Sequence, residues 1–92
     1  MVTKKSLKEI IPIEYTPEHE EAILKLMREN KEFYNEIFDL AWDSLEDENF
    51  CKKYGIESIY KQKQGDLFRL IYAFGVQKGY IKEVDVSNLY HS

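Results

Sequence analysis

The sequence predicts a small, mainly α-helical domain that comprises all of residues 1–92. Apolar residues recur with the period of an α-helix from about residue 17 to residue 45, without a change of phase. Further along, residues 67–76 read LFRLIYAFGV, in which only an arginine and a glycine are neither apolar nor aromatic. We therefore expect one long amphipathic helix, about 17–45, to pack on an apolar C-terminal helix, about 67–78.

The segment before the long helix has two interpretations. Ser6 precedes Glu9 by three residues, which is the spacing of a capping box and predicts one short helical turn. Ile11, Ile13 and Tyr15 occupy alternate positions, which favours a short extended segment there instead. Both interpretations remain open for residues 10–15.

The long helix has a clear start and one ambiguous position. Thr16 is a favoured N-cap residue, and Pro17 is harmless in the first turn because its missing N–H would have no partner there. Asn30 falls among the inward positions, so it is either a buried polar contact or the cap of a second helix. Since no glycine or proline lies nearby, we favour a single long or gently bent helix.

Two short helices are expected between the long ones, at about 47–54 and 58–64. Asp47 is a suitable cap for the first, and Gly55 can adopt the left-handed conformation that ends it, which would bring Ile56 against Cys51 in a Schellman motif.

The apolar helix is expected to begin after Asp66 as its cap and to end at Gly79. Residues 80–84 are a candidate for a short strand after it. Large side chains point in every direction around this helix. It is therefore either covered on several sides or partly exposed for a partner.

One face of the long helix carries six carboxylates at spacings of 3, 4, 3, 4 and 3 residues. We call them the acidic row: Glu29, Glu32, Glu36, Asp39, Asp43 and Glu46. No Lys or Arg occurs from residue 32 to residue 51, so the row lacks the cations that usually neutralise an exposed helix face. On an unbroken helix it would extend over roughly 26 Å, with about one charge every 5 Å.

The acidic row has three interpretations. It is a solvated helix face, a surface that binds a basic partner or imitates nucleic-acid phosphates, or a divalent-metal site. DNA carries one charge per ~3.4 Å along each strand, so the row has a spacing of the right order for a basic groove. Because a single helix presents its carboxylates in a line and not around one point, we expect no metal site.

No residue pattern predicts catalysis or a cofactor. The single cysteine, Cys51, and the two histidines, His19 and His91, form no ligand pair and no nucleophile–base motif. The sequence has no glycine-rich phosphate loop and no common hydrolase motif. The lack of these motifs favours a non-enzymatic protein. A single cysteine, the lack of a signal-peptide pattern and the lack of a long apolar stretch favour a cytoplasmic one.

Charge is distributed unevenly within the formal net charge of −4. Residues 1–48 hold thirteen acids and six bases, or −7, whereas residues 49–92 hold four acids and seven bases, or +3. The basic half contains LIYAFGVQKGYIKEVD, which resembles the passage from helix to first wing strand in winged-helix DNA-binding domains. That resemblance implies a strand after the helix and a nucleic-acid interface, although few residues remain for the rest of a wing. Ordinary helix termination is the other interpretation.

The function we prefer is that of a non-enzymatic acidic protein whose acidic row binds a basic surface of a protein partner, as an inhibitor of a nucleic-acid-handling enzyme would. Nuclease-immunity and phage anti-defence proteins are similar in size and charge, although no motif connects the chain to either group. Exposed aromatic residues among Tyr34, Phe68 and Tyr72 would be the apolar anchors.

Two alternatives remain open. The first is a nucleic-acid-binding regulator that uses residues 49–92. It requires that four cations lie on one face: Lys61, Lys63, Arg69 and Lys78. If these cations are instead paired with acids, both this alternative and the preferred function are weakened. The second is a helical structural protein that forms a homodimer through four residues of the apolar helix: Leu67, Phe68, Ile71 and Tyr72.

Overall fold

The computed structural model describes residues 6–12, 14–56 and 64–84, apart from the side chains of residues 64 and 65. These ranges contain five helices and no strand: α1 Leu7–Ile10, α2 Pro17–Glu29, α3 Lys31–Glu46, α4 Glu48–Tyr54 and α5 Gln64–Gln77. The mainly α-helical domain is thus confirmed. The short helix predicted at about 58–64 falls almost wholly outside the described residues. None of the described helices is both long and apolar enough to cross a membrane.

The apolar helix α5 lies at the centre of the fold. It contacts α1, α2 and α3, and its residues Leu70, Ile71 and Ala73 are fully buried. Neighbours on several sides explain why apolar residues occur all around this helix. Of the two predicted environments for it, coverage on several sides is correct.

The helix α5 begins at Gln64, three residues before the predicted start, so the prediction of Asp66 as its cap was wrong. Asp66 instead lies in the first turn, is 7% exposed, and accepts a 2.6 Å hydrogen bond from Nη1 of Arg69. An acid in the first turn also interacts favourably with the helix dipole, which explains how an N-cap residue type is accommodated there.

The single long helix predicted over about 17–45 is wrong, because Asn30 divides it into α2 and α3. The backbone at Asn30 leaves the helical region, with φ −150° and ψ 83°. Its side-chain oxygen accepts a 3.2 Å hydrogen bond from the N–H of Phe33, which caps α3, while its own N–H closes α2 on the carbonyl of Leu26 at 2.7 Å. An asparagine amide that competes with the backbone in this way ends a helix without glycine or proline.

The predicted ends of α4 are confirmed. The Asp47 carboxylate accepts hydrogen bonds from the N–H groups of Asn49 and Phe50, at 3.0 and 3.3 Å. Gly55 has a φ of 66°, and the N–H of Ile56 donates to the carbonyl of Cys51 at 3.0 Å, as expected for a Schellman ending.

The helix α5 ends at Gln77, and Gly79, the residue predicted to terminate it, has a φ of 81° two positions later. The strand predicted at residues 80–84, which the winged-helix resemblance also implies, does not form there. The N–H groups of Tyr80 and Ile81 both donate to the carbonyl of Gly75, at 2.8 and 3.0 Å, and the N–H of Val84 donates to the Tyr72 hydroxyl at 2.7 Å. The segment therefore satisfies these donors against α5 and not against a partner strand.

The first helical turn is confirmed as α1, with Ser6 as its N-cap residue and the Ser6 hydroxyl 3.2 Å from the Glu9 carboxylate. After α1 the chain is neither helical nor part of a strand over residues 11–12 and 14–16. The extended alternative for Ile13 itself lies outside the described residues.

Candidate functional site

The acidic row is exposed, but it does not form one straight ridge. Glu29 is the last residue of α2, and the break at Asn30 separates it from the other five carboxylates, which lie on α3. From Glu32 to Glu46 the α3 portion extends over ~21 Å at the rise of an α-helix. The charge spacing expected along a continuous helix therefore applies to this portion alone.

Glu36 differs from the rest of the row because groups that follow α5 contact it. The Tyr80 hydroxyl donates a 2.6 Å hydrogen bond to Oε2 of Glu36, and Nζ of Lys78 lies 3.7 Å from the same oxygen. The hydrogen bond to the carboxylate raises the pKa of Tyr80 above its ordinary value of 10.0. Sequence reasoning missed this pairing, since both partners are more than forty positions away along the chain.

The other α3 carboxylates have no such partner. Within the described ranges, none of them takes part in a hydrogen bond or an ion pair. We call this group the α3 acidic face: Glu32, Asp39, Asp43 and Glu46. It consists of like charges on one side of a helix, an arrangement that costs stability when no cation intervenes.

Aromatic side chains border the α3 acidic face along one side. Tyr34, Phe38 and Trp42 follow one another at four-residue spacing and are all half-buried. Their successive ring centroids are 6.1 Å apart, and the Phe38 and Trp42 planes differ by only 15°. At 100° per residue Phe38 and Trp42 lie between the buried positions of α3 and its carboxylates, whereas Tyr34 falls among the buried positions. We call these three residues the aromatic row.

The opposite side of the face is bordered by Phe33, which is 39% exposed. Its ring stacks on that of Tyr80, with centroids 4.2 Å apart and planes 10° apart. Thus the α3 acidic face lies between aromatic side chains on both sides. On the Phe33 side, however, the chain itself already supplies the stacking ring and the cation near Glu36.

Two of the four residues predicted for self-association turn inward. Ile71 is fully buried and Tyr72 is 2% exposed, so neither offers surface to a second copy, and Tyr72 cannot be an exposed anchor. Leu67 and Phe68 are half-buried, and the Phe68 ring stacks on Tyr15 with centroids 6.1 Å apart. Self-association through this helix stays a prediction for which Leu67 and Phe68 are the remaining surface.

The cations required for a basic face are only partly described. Lys61 and Lys63 lie outside the described residues. Arg69 donates from Nε to the carbonyl of Pro12 at 2.8 Å and also pairs with Asp66, while Lys78 lies near Glu36. The two described cations are therefore engaged within the chain, which weakens the nucleic-acid alternative and also removes Glu36 from a free acidic surface.

His19 is a buried part of the packing between α2 and α5. It is 2% exposed, its Nδ1 accepts a 3.0 Å hydrogen bond from the N–H of Thr16, and its ring meets that of Tyr72 edge-on at 4.7 Å. Burial lowers the pKa of His19 from 6.5, against a smaller opposing effect of Glu18. Since Nδ1 accepts from a backbone donor, the neutral ring fits this site and the protonated ring does not.

The cysteine is likewise enclosed. Cys51 is 4% exposed, and its Sγ lies 3.5 Å from the carbonyl of Leu45. Burial raises the pKa of the Cys51 thiol, and the negative charge of Asp47 adds to this effect. A buried thiol with a raised pKa is a packing group and not a reactive nucleophile. In the described parts of the chain no three His, Cys, Asp or Glu side chains are arranged to hold a metal ion.

Comparison with known proteins gave no relative: no protein-family model, no curated protein and no solved structure matches this chain. The surface of α3 is consequently the basis for a functional proposal.

Proposed function

We propose that this chain is a cytoplasmic, non-enzymatic interaction protein whose α3 acidic face binds a basic surface of a protein partner. The observation that carries the proposal is that four exposed carboxylates occupy one side of α3 without a cation from the described chain. A partner with clustered Lys and Arg would relieve the repulsion among these carboxylates and would be steered towards them over a long range.

The aromatic borders support the same proposal. Charged groups alone give on-rate and specificity more than affinity, whereas partly exposed aromatic side chains usually provide the anchors of an interface. Phe38 and Trp42, which are half-buried, place such side chains on one side of the α3 acidic face. This combination of apolar anchors and charged groups is typical of a protein-binding surface.

The partner we favour is a nucleic-acid-handling enzyme, which this protein inhibits by occupying the basic groove. Such a groove is built to receive a row of phosphates, one per ~3.4 Å along a strand. Within the α3 acidic face, Asp39, Asp43 and Glu46 follow one another about every 5 Å along one helix, which is a spacing of the same order. The nucleic-acid-binding alternative has less support, because Arg69 and Lys78 are engaged with acids inside the chain.

A matched pair of triple variants tests the proposal. The first neutralises the face with Asp39→Asn, Asp43→Asn and Glu46→Gln, and the control neutralises exposed acids elsewhere with Glu14→Gln, Glu20→Gln and Glu48→Gln. Each removes three negative charges, which raises the formal net charge from −4 to −1 in both. Equal net charge separates the contribution of the α3 surface from that of overall acidity.

Immobilised wild type and both variants would be incubated with an extract of the native host, and the captured proteins identified and quantified. We expect a partner with a basic surface to be captured by wild type and control, to be lost with the face variant, and to be released by added salt. The nucleic-acid binding of that partner should fall when the wild-type protein is added. Equal capture by the two variants would contradict the proposal.

A further inference from the structure

The strongest single position on this surface is Trp42, at the end of the aromatic row. We propose that Trp42, with Asp39 and Glu46, forms the docking site for an arginine side chain of the partner. This inference rests on the proposed function and adds to it the chemistry of the group that is recognised.

The indole of Trp42 is held in place and yet reaches the surface. It is half-buried, and the Phe38 ring lies nearly parallel to it at a centroid distance of 6.1 Å. Stacking on a neighbour in the same helix restricts the indole, so little conformational entropy remains to be lost on binding. Tryptophan has the aromatic ring to which a cation binds best.

Two carboxylates lie beside this indole. Asp39 precedes Trp42 by three residues and Glu46 follows it by four, and side chains at these spacings are neighbours on a helix surface. Both are exposed, and neither is paired within the described ranges. Along α3, one carboxylate therefore lies about one turn before Trp42 and the other about one turn after it, and both could interact with a cation bound over the indole.

The other border of the α3 acidic face shows why the Trp42 end is the open one. There, Tyr80 stacks on Phe33 and donates to Glu36, while Lys78 places its ammonium group 3.7 Å from the same carboxylate. The chain thus already supplies an aromatic ring and a cation to that side. At Trp42 the corresponding aromatic and acidic groups are present without a cation from the described residues.

Arginine fits this arrangement better than lysine. A guanidinium group is planar, stacks on an aromatic face, and can donate parallel hydrogen bonds to a carboxylate at its edge. An ammonium group is a compact, strongly hydrated charge that gains less from the indole. Recognition of arginine is therefore distinguishable from attraction of positive charge in general.

Trp42 is the only tryptophan of the chain, so its emission reports on this site alone. The full-length protein would be titrated with a short oligo-arginine peptide and with an oligo-lysine peptide of the same length, each labelled for anisotropy. We expect both to bind through charge, the arginine peptide to bind more tightly, and only the arginine peptide to change the Trp42 emission strongly.

Two variants complete the test. Trp42→Leu keeps an apolar side chain but removes the indole, and should weaken oligo-arginine binding by about two- to fivefold while leaving oligo-lysine binding almost unchanged. Phe33→Leu alters the opposite border and should leave the preference for arginine intact. If Trp42→Leu does not fold, the change in Trp42 emission when the arginine peptide is added to the wild type still tests whether arginine binds at this site.

Equal binding of the two peptides, with unchanged Trp42 emission, would overturn this inference and leave the proposed function standing. Failure of the wild-type protein to bind either peptide at low salt would contradict both. A loss of arginine preference in Phe33→Leu but not in Trp42→Leu would place the site on the other border and would also overturn it.

Discussion

The Tyr80 hydroxyl donates a 2.6 Å hydrogen bond to Glu36, which joins the chain after α5 to the exposed side of α3. Three further contacts hold the same segment: Tyr80 stacks on Phe33, Lys78 approaches Glu36, and Ile81 is buried near Gly75. This return of the chain converts one member of a uniform acidic row into an internal contact. It also divides the surface of α3 into an occupied border and an open one.

Substitutions at Tyr80 should separate the hydrogen bond from the ring stacking. We expect Tyr80→Phe to lower the stability slightly, since it keeps the ring but loses the donor to Glu36. Tyr80→Ala should lower it further, because the stacking on Phe33 is lost as well. Urea unfolding midpoints would measure this order, and equal midpoints for the two variants would show that the stacking contributes nothing.

The Asn30 cap should contribute measurably to the free energy of unfolding. Asn30→Ala removes the acceptor for the Phe33 N–H and should destabilise the protein by about 1 kcal/mol in urea unfolding. Asn30→Asp keeps an acceptor oxygen and is the matched control, with most of the stability retained. If Asn30→Ala instead raised both stability and helical circular dichroism, α2 and α3 would be one helix in solution.

The close contact at Gly75 should not tolerate a methyl group. A Cβ there would lie 2.8 Å from Cγ1 of Ile81 and 3.2 Å from Cδ1 of Ile37. Alanine is the better helix former by ~1 kcal/mol, but overpacking in the core costs about 1–3 kcal/mol, so we expect Gly75→Ala to lower the free energy of unfolding.

A second substitution checks that the effect comes from this contact. Ile81→Val alone should cost about 0.5–1.5 kcal/mol, as for removal of one buried methylene. In the Gly75→Ala background the same change should cost less or become favourable, because it makes room for the new methyl group. Additive effects in this double-mutant cycle would show that the two side chains do not meet.

His19 should make the stability depend on pH. Burial lowers its pKa in the folded state from 6.5, so the unfolded chain binds the proton more readily. The contribution of the neutral His19 ring to the free energy of unfolding is therefore fully present above about pH 6.5. It is lost as the pH falls below this value, by at most about 1.4 kcal/mol per pH unit.

Denaturant unfolding between pH 5 and pH 8 would measure this effect, with His19→Gln as the comparison. The variant is expected to be less stable throughout, because it loses the contact with Tyr72, but its stability should change less over this interval. Parallel pH profiles for wild type and variant would assign the titration to another group.

Local sequence signals were sufficient to predict where several helices begin or end. Thr16 and Pro17 start α2, Asp47 caps α4, Gly55 ends α4, and Gly79 turns the chain just after α5, because each of these features depends on residues within one turn. Asn30 was ambiguous, since an asparagine within an apolar pattern is either a buried contact or a cap. The start of α5 was misplaced because Asp66 is favoured both as a cap and in a first turn.

The sequence by itself determined the helical class, the apolar centre and the exposure of the carboxylates, because periodicity and capping act over a few neighbouring residues. Only the tertiary structure decided which carboxylates have partners. Lys78 and Tyr80 reach Glu36 because α5 packs on α3 and the chain turns back after Gly79, and contacts between residues so far apart in sequence leave no periodic signal. The same packing buries Tyr72 and leaves Trp42 half-buried beside acids that have no partner among the described residues, which is the surface we assign to a partner.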